Sequence, residues 1–198
     1  MTLFYACEDD LTSAVIKRLI HHFNVEVKLK PLNAGQGGNA ILKKNIEKYI
    51  KLAAQQKVLL VTDLDKFDCA PSLIHDWLDG RNITENFTFR VAVREVESWL
   101  LADRTAISDW MGVDVGLIPA TPDSLDGPKD SIIHLARRSR NSELKSGIPP
   151  QRGANAKVGL GYNNLLVNFV RTFWSADRAR ANSDSLQRAY HEIARIRP

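Results

Sequence analysis

The segment Lys57-Val-Leu-Leu-Val-Thr-Asp-Leu-Asp65 indicates the fold class of this 198-residue chain. A run of apolar residues bounded by polar ones is typical of a central parallel strand that is buried on both faces. Similar short runs begin at Leu3 and Phe87, and an alternating run spans 25–32. Amphipathic segments separate these runs, so strands and helices alternate over residues 1–103. We therefore predict an α/β fold with a mainly parallel sheet and helices on both faces.

Helical periodicity and breakers extend the prediction along the chain. Helices are expected after the first strand and over 41–54, 71–78, 95–103, 162–173 and 183–197. A Gly-rich stretch at 35–38 follows a strand and precedes a helix, so its amides could cradle a phosphate. It lacks the spacing of the known phosphate-binding loops, which favours a simple connection. The four Trp residues fall among apolar helix positions and are predicted to lie in the core.

The charge of the chain is divided unevenly. Residues 1–126 carry 14 Lys and Arg against 18 Asp and Glu, whereas residues 127–198 carry 13 against 5. An acidic half joined to a basic half suits a protein that holds cations in one place and polyanions in another. We predict an α/β domain over 1–126 and a basic, mostly helical C-terminal extension over 127–198 that packs on it.

Composition argues against several classes of protein. No apolar stretch approaches the ~18 residues of a membrane span, and the N-terminus lacks a signal-peptide pattern. Two cysteines, Cys7 and Cys69, argue against a disulfide framework and against a cysteine zinc site. These features predict a cytoplasmic protein without a membrane partner, and they leave a homo-oligomer open.

Acidic residues follow three of the predicted strands. The first strand runs into Glu8-Asp9-Asp10, the third into Asp63-Leu64-Asp65 and the fourth into Glu95-Val96-Glu97. Asp9 and Asp10 fit better as a cap and dipole partners of the next helix. Asp63 and Asp65 would point to the same side if the chain stayed extended. Because the carboxyl ends of parallel strands share one edge, we expect Glu8, Asp63, Asp65 and Glu97 to bind Mg²⁺ or Mn²⁺.

This pattern resembles the TOPRIM domains of topoisomerases, primases and OLD-type nucleases. The segment Arg94-Glu-Val-Glu-Ser-Trp-Leu-Leu-Ala-Asp103 is similar to the signature of a small prokaryotic TOPRIM-like family of unknown function, and Val158-Gly-Leu-Gly-Tyr-Asn-Asn164 is similar to its C-terminal region. The resemblance implies Glu8, Asp63 and Asp65 as metal ligands, with Glu95 and Glu97 as candidates for a second ion. Many TOPRIM domains have Gly after the first Glu, where this chain has Asp9.

Basic residues supply further candidates for the site. Lys129 and Lys157 could each neutralise charge on a phosphate in the transition state, and the sequence does not choose between them. OLD-type nucleases use a downstream Lys, which supports such a role. The predicted nucleic-acid-binding residues are Lys129, Arg137, Arg138, Arg140, Arg152 and Lys157.

These observations lead to a metal-dependent nuclease as the first hypothesis. Its substrate would be nucleic acid, with DNA favoured over RNA, and the resemblance implies an anti-phage defence or mobile-element setting with an ABC- or OLD-type ATPase acting in trans. The alternative is a non-catalytic TOPRIM scaffold that binds an ATPase or nucleic acid, which Asp9 in place of Gly favours. Nucleotidyl transfer is a third hypothesis, weakened because the chain lacks nucleotide-binding motifs.

Overall fold

The structure, a computed structural model, describes residues 1–23, 26–33 and 38–196. Four strands lie in these residues: β1 (Thr2–Ala6), β2 (Lys28–Pro31), β3 (Lys57–Asp63) and β4 (Phe87–Ala92). They form one sheet in the order β2-β1-β3-β4, and every pair is parallel. The predicted α/β class with a parallel sheet is confirmed. Strand β2 is shorter than the predicted run over 25–32, of which Val25 lies outside the described residues.

Helices follow every strand. They are α1 (Asp10–His22) after β1, α2 (Gly38–Lys44) and α3 (Ile46–Ala53) after β2, α4 (Ala70–Leu78) after β3, and α5 (Val96–Ala102) after β4. The rest of the described chain adds α6 (Arg104–Met111), α7 (Pro128–Arg137), α8 (Ser142–Gly147), α9 (Tyr162–Thr172), α10 (Ala176–Ala179) and α11 (Asp184–Ala194). None of the helices in the described ranges has the length and apolar character that a membrane crossing needs.

The helix predicted over 41–54 is divided in two at Asn45. The side-chain amide of Asn45 donates to the carbonyl of Ile41 at 2.9 Å, and α3 starts at the next residue. Asparagine competes with the helical hydrogen bonds of its own backbone in this way, so the break has a local cause. The Gly-rich stretch at 35–38 and the end of the 183–197 helix fall partly outside the described residues.

Two apolar clusters cover the two faces of the sheet. On one face, Leu42, Tyr49 and Trp77 of α2, α3 and α4 pack against the inward residues of β3 and β4. On the other face, Val15 of α1 and Trp99 of α5 share a cluster with the C-terminal helices. Helices therefore flank both faces, as predicted. Residues 127–196 join this second cluster through side chains that include Ile132 of α7, Phe169 of α9, Leu186 of α11, and Trp174 between α9 and α10.

The strand order creates a crevice between β1 and β3. From β1 the chain moves one way to β2 through α1, whereas it reaches β3 and β4 on the other side through α2, α3 and α4. Because crossovers keep one hand, a reversal of direction puts the helices on opposite faces, as the two clusters show. Ligands of open α/β sheets bind outside the carboxyl ends of the strands at such a reversal.

Candidate active site

Glu8 and Asp63 meet at this crevice. Glu8 follows β1, and its Oε1 accepts hydrogen bonds from the Thr62 hydroxyl at 2.5 Å and from the Asp63 N–H at 2.8 Å. Asp63 ends β3, and its Oδ1 accepts from the N–H of Val96 at 2.9 Å. Val96 is the first residue of α5, so these bonds tie the ends of β1 and β3 to the start of that helix.

Glu95 and Glu97 extend the group from the start of α5. The Glu97 side chain is only 3% exposed, and its Oε1 accepts from the Tyr162 hydroxyl at 2.8 Å. The Lys129 Nζ lies 3.6 Å from Oε1 of Glu95 and 3.6 Å from Oε1 of Glu97. The backbone N–H of Lys129, in the first turn of α7, also donates to Oε2 of Glu95 at 3.0 Å. We name Glu8, Asp63, Glu95 and Glu97 the carboxylate cluster.

Burial and mutual repulsion shape the protonation of this cluster. Burial, followed by the carboxylates of Glu8 and Glu97, holds the pKa of Asp63 well above its ordinary value. Burial also raises the pKa of Glu8, although the Thr62 hydroxyl and the Asp63 N–H stabilise its charged form. The pKa of Glu97 is raised by burial despite the opposing effect of Lys129. Burial and the neighbouring carboxylates therefore make the charged forms of these three acids costly in the metal-free protein.

Lys129 is the positive group that partly compensates this charge. Burial alone would lower the pKa of its ammonium, but Glu97, Glu95 and Asp63 together raise that pKa above the ordinary value. The ammonium therefore stays charged at neutral pH, close to three acids of the cluster. Of the two lysines that the sequence left open, the structure brings Lys129 to the carboxylates.

The cluster has the chemistry to hold a divalent cation. Oxygen ligands without His or Cys suit Mg²⁺ or Mn²⁺. Oε2 of Glu97 is buried and has no hydrogen-bond partner among the described residues, which is costly unless a positive charge or a donor reaches it. As the side chains stand, no three described His, Cys, Asp or Glu residues are grouped so that they could hold a metal ion. Ion binding would therefore require some of these side chains to rotate.

Asp65 and Asp9 take positions at the margin of the cluster. Strand β3 ends at Asp63, and Asp65 has a positive φ of 50°, so the extended geometry expected for this pair does not reach Asp65. Its exposed carboxylate accepts from the Asn39 amide at 2.6 Å, yet it lies close enough to contribute to the raised pKa of Glu8. Asp9 caps α1 by accepting from the N–H and hydroxyl of Thr12, which confirms the predicted capping role.

The remaining basic candidates lie farther out. Lys157 lines a cavity of about 540 Å³ beside Asp65 and Glu95, and it forms no ion pair within the described residues. Arg137 and Arg138 are exposed at the end of α7 opposite Lys129, about 12 Å along the helix axis. The structure therefore does not bring these arginines to the cluster, although they are near Lys129 in sequence. Arg140 and Arg152 are also exposed.

Two residues of the site escaped the sequence analysis. Thr62 donates to Glu8 from within β3, where a polar residue in an apolar run was the available signal. Tyr162 reaches Glu97 from the start of α9, and its pKa is raised by burial and by Glu97. The segment 158–164 is similar to the C-terminal region of the TOPRIM-like family, but no pattern in it predicts a contact with Glu97.

Comparisons of the chain with protein-family models, with curated proteins and with solved structures find no match. The TOPRIM resemblance stays a prediction from the sequence, and the function has to be inferred from the geometry of the cluster itself.

Proposed function

We propose that this chain is a Mg²⁺- or Mn²⁺-dependent nuclease that hydrolyses phosphodiester bonds of nucleic acid, with DNA favoured over RNA. The carboxylate cluster carries the proposal. Its acids come from the ends of β1 and β3 and the start of α5, and three of them have raised pKa values. A structural role would not need so many buried or half-buried, mutually repelling carboxylates at the crevice where α/β folds bind ligands.

Each residue has a role in this proposal. Glu8, Asp63 and Glu97 would hold the ion, and Tyr162 would orient Glu97 through the bond to its Oε1. A divalent ion bound by carboxylates activates a water molecule and stabilises the leaving oxygen of a phosphodiester. The Lys129 ammonium, held beside Glu95 and Glu97, would neutralise charge that develops on the phosphate oxygens.

The TOPRIM relationship and the biological setting belong to the same proposal. The all-parallel sheet in the order β2-β1-β3-β4, with acids after β1 and β3, is compatible with a TOPRIM-like fold. An ATPase partner in trans and a role in anti-phage defence follow from the resemblance alone.

A plasmid-cleavage assay tests the proposal. The purified protein is incubated with supercoiled DNA and Mg²⁺ or Mn²⁺, beside the Asp63→Asn and Glu97→Gln variants. Both substitutions should lower the cleavage rate by about 10²–10³-fold, because they remove charge at the reacting centre. Asp79→Asn is a matched control, since Asp79 is exposed at the far end of α4 and paired only with Arg81 within the described residues.

A second readout separates a missing activity from a missing site. Mg²⁺ should raise the melting temperature of the wild type more than that of Glu97→Gln, because an ion that binds only the folded state stabilises it. Cleavage that survives both substitutions would be due to a contaminant, and the proposal would fail. It would also fail if the wild type neither cut DNA nor responded to the ions.

A non-catalytic scaffold is the second candidate, and the position of Lys129 favours it. An ammonium 3.6 Å from two carboxylates already supplies a positive charge where an ion would bind. Under this candidate the wild type binds DNA without cutting it, and Glu97→Gln leaves the affinity for DNA unchanged.

A further inference from the structure

A groove runs along β4, which is an edge strand of the sheet. Its volume is about 590 Å³, and it lies between α4 on one side and the start of α11 on the other. Its apolar lining comes from Leu64, Pro71, Ile74, Phe89, Val91 and Val93. It adjoins the cavity that contains Lys157 and Glu95, with which it shares Arg94 and Asp126, but no member of the carboxylate cluster lines it. The proposed nuclease chemistry therefore does not account for it.

The register of β4 shows which backbone groups face this groove. The carbonyls of Asn86 and Ala92 accept from Val58 and Leu64 at 2.8 Å each, so the even-numbered residues of β4 point toward β3. Successive residues of a strand direct their backbone groups to opposite edges. The N–H and C=O groups of Phe89 and Val91 must therefore point away from β3.

Val93 confirms this direction. Its N–H donates to the Ser185 hydroxyl at 3.3 Å, and Ser185 stands on the α11 side of the groove. The next two outward positions, Phe89 and Val91, have no such partner among the described residues. Both residues are nearly buried, at 3% and 6% exposure. Outward backbone groups without partners form an open sheet edge, with which an extended peptide can pair.

We propose that the β4 edge binds an extended peptide segment of a partner protein as an additional strand. Outward groups at Phe89 and Val91 repeat at the ~6.6 Å spacing of a strand, and an extended peptide offers alternating donors and acceptors at the same spacing. Its alternate side chains would contact the apolar lining of the groove.

The rim of the groove sets the charge of this peptide. Asp68, Asp126 and Asp184 line it, are exposed and form no ion pair within the described residues. Arg94 and Arg188 also line the groove, but Arg94 donates to the carbonyls of Asp65 and Phe67, and only Arg188 of the arginines in the lining is exposed. The exposed carboxylates therefore outnumber the exposed positive charges, and they would attract a lysine or arginine of the peptide and repel the phosphates of a nucleic acid. Nε of Arg90 is buried without a hydrogen-bond partner in the described structure, so it can donate to a peptide carbonyl. The ligand is therefore an extended peptide with apolar alternate positions and at least one basic residue.

The chain carries its own reporter for this groove. Cys69 is exposed and lines the groove, and hydrogen bonding with Ser72 lowers the pKa of its thiol. Cys7 is buried, and burial raises the pKa of that thiol to about 12. A maleimide should therefore modify Cys69 and spare Cys7, so that protection of Cys69 measures occupation of the groove.

The experiment selects ligands from a random dodecapeptide display library on the full chain and measures maleimide labelling of Cys69 with each selected peptide. Selected peptides should alternate apolar and polar residues, carry Lys or Arg and slow the labelling about tenfold or more. Methylation of a central peptide N–H should weaken binding about tenfold, because one strand hydrogen bond is lost.

Two protein variants complete the test. Val91→Pro removes an outward N–H that β3 does not use, whereas Val91→Ala keeps it, so only the proline variant should lose the peptide. Ala70→Trp fills the groove from α4 and should block binding even if the proline variant fails to fold.

Three results would overturn the proposal. One is that no selected peptide protects Cys69. Another is that the peptides bind Ala70→Trp as well as the wild type. The third is that single-stranded DNA protects Cys69 better than any peptide, which would make the groove a nucleic-acid site. None of these results bears on plasmid cleavage, so the two proposals can fail separately.

Discussion

Replacing Lys129 by Met removes the positive charge next to the carboxylate cluster and keeps most of the side-chain volume. Glu97 would lose its counter-charge while its side chain stays 3% exposed. Glu95, at 21% exposure, would retain the bond from the Lys129 backbone N–H, which the substitution does not touch. The change therefore tests the ammonium itself rather than the start of α7.

The cost of this substitution follows from the distances. At an effective dielectric constant of ~20, unit charges 3.6 Å apart attract by about 5 kcal/mol. Lys129 is 38% exposed, so solvent screening and the cost of desolvating the charges leave a smaller net value. We expect Lys129→Met to lower the free energy of unfolding by about 2 kcal/mol near neutral pH.

The loss of folding stability in Lys129→Met should depend on pH. The pKa of Glu97 is already raised by burial, and removing Lys129 raises it further, since Lys129 opposes that shift. At low pH the carboxyl binds a proton and no longer needs a counter-charge. The difference between wild type and variant should therefore be largest above the folded-state pKa of Glu97 and should shrink as the pH falls through it. Urea titrations at several pH values measure this difference.

Plasmid cleavage completes the test and chooses between the two lysines. Lys129→Met should reduce the cleavage rate by about 10²–10³-fold. Lys157→Met should change it by less than about twofold, because Lys157 forms no ion pair within the described residues. The reasoning is refuted if Lys157→Met loses the activity, or if Lys129→Met keeps both its activity and its stability.

Three further predictions concern the metal-free protein, the C-terminal loop and nucleic acid. Because the pKa values of Glu8, Asp63 and Glu97 are raised, the folded state binds protons more tightly than the unfolded state does. Without metal, the melting temperature should therefore rise as the pH falls through the folded-state pKa values, and saturating Mg²⁺ should reduce this rise. Gly159→Ala should lower the free energy of unfolding by about 2 kcal/mol or more, because the added Cβ would collide with the backbone carbonyl oxygen of Gly147. An unchanged midpoint in urea unfolding would contradict this packing. Binding to duplex DNA should weaken with salt, with a log–log slope of about 0.9 per phosphate contact, and a flat response would leave the charge of residues 127–198 to another partner.

The sequence predicts the convergence of Glu8 and Asp63 for a physical reason. Both residues follow apolar runs that are typical of buried parallel strands, and the carboxyl ends of parallel strands lie at one edge of the sheet. The position of Asp65 could not be predicted in this way, because it depends on where β3 stops and on a positive φ after that point. Arg137 and Arg138 show a related limit: they are near Lys129 in sequence, but the length of α7 separates them.

Sequence patterns do not predict which residues far apart in the chain contact each other. Tyr162 bonds to Glu97 over 65 residues, and Lys129 reaches Glu95 over 34. These pairings depend on how α7 and α9 pack on α5, which periodicity does not specify. The sequence therefore left two candidate lysines for the proposed site, and in the structure the packing of α7 brings Lys129 to Glu95 and Glu97.

Asp103 is a buried carboxylate with a structural role, and its hydrogen bonds provide a comparison for Glu97. Its side chain is fully buried, and both oxygens accept hydrogen bonds, from Arg178 at 2.8 Å in a bidentate arrangement and from the N–H groups of Ser175 and Ala106. Such a complete set of partners is what makes a buried charge tolerable.

Glu97 is nearly as buried as Asp103, but its hydrogen bonding is less complete. One of its oxygens has no hydrogen-bond partner among the described residues, and its ammonium neighbour lies at 3.6 Å, farther than the donors of Asp103. A glutamine or an apolar side chain would fill the same space at lower cost. A carboxylate that is incompletely paired, beside other acids at the crevice between β1 and β3, supports the proposed cation site over a purely structural ion pair.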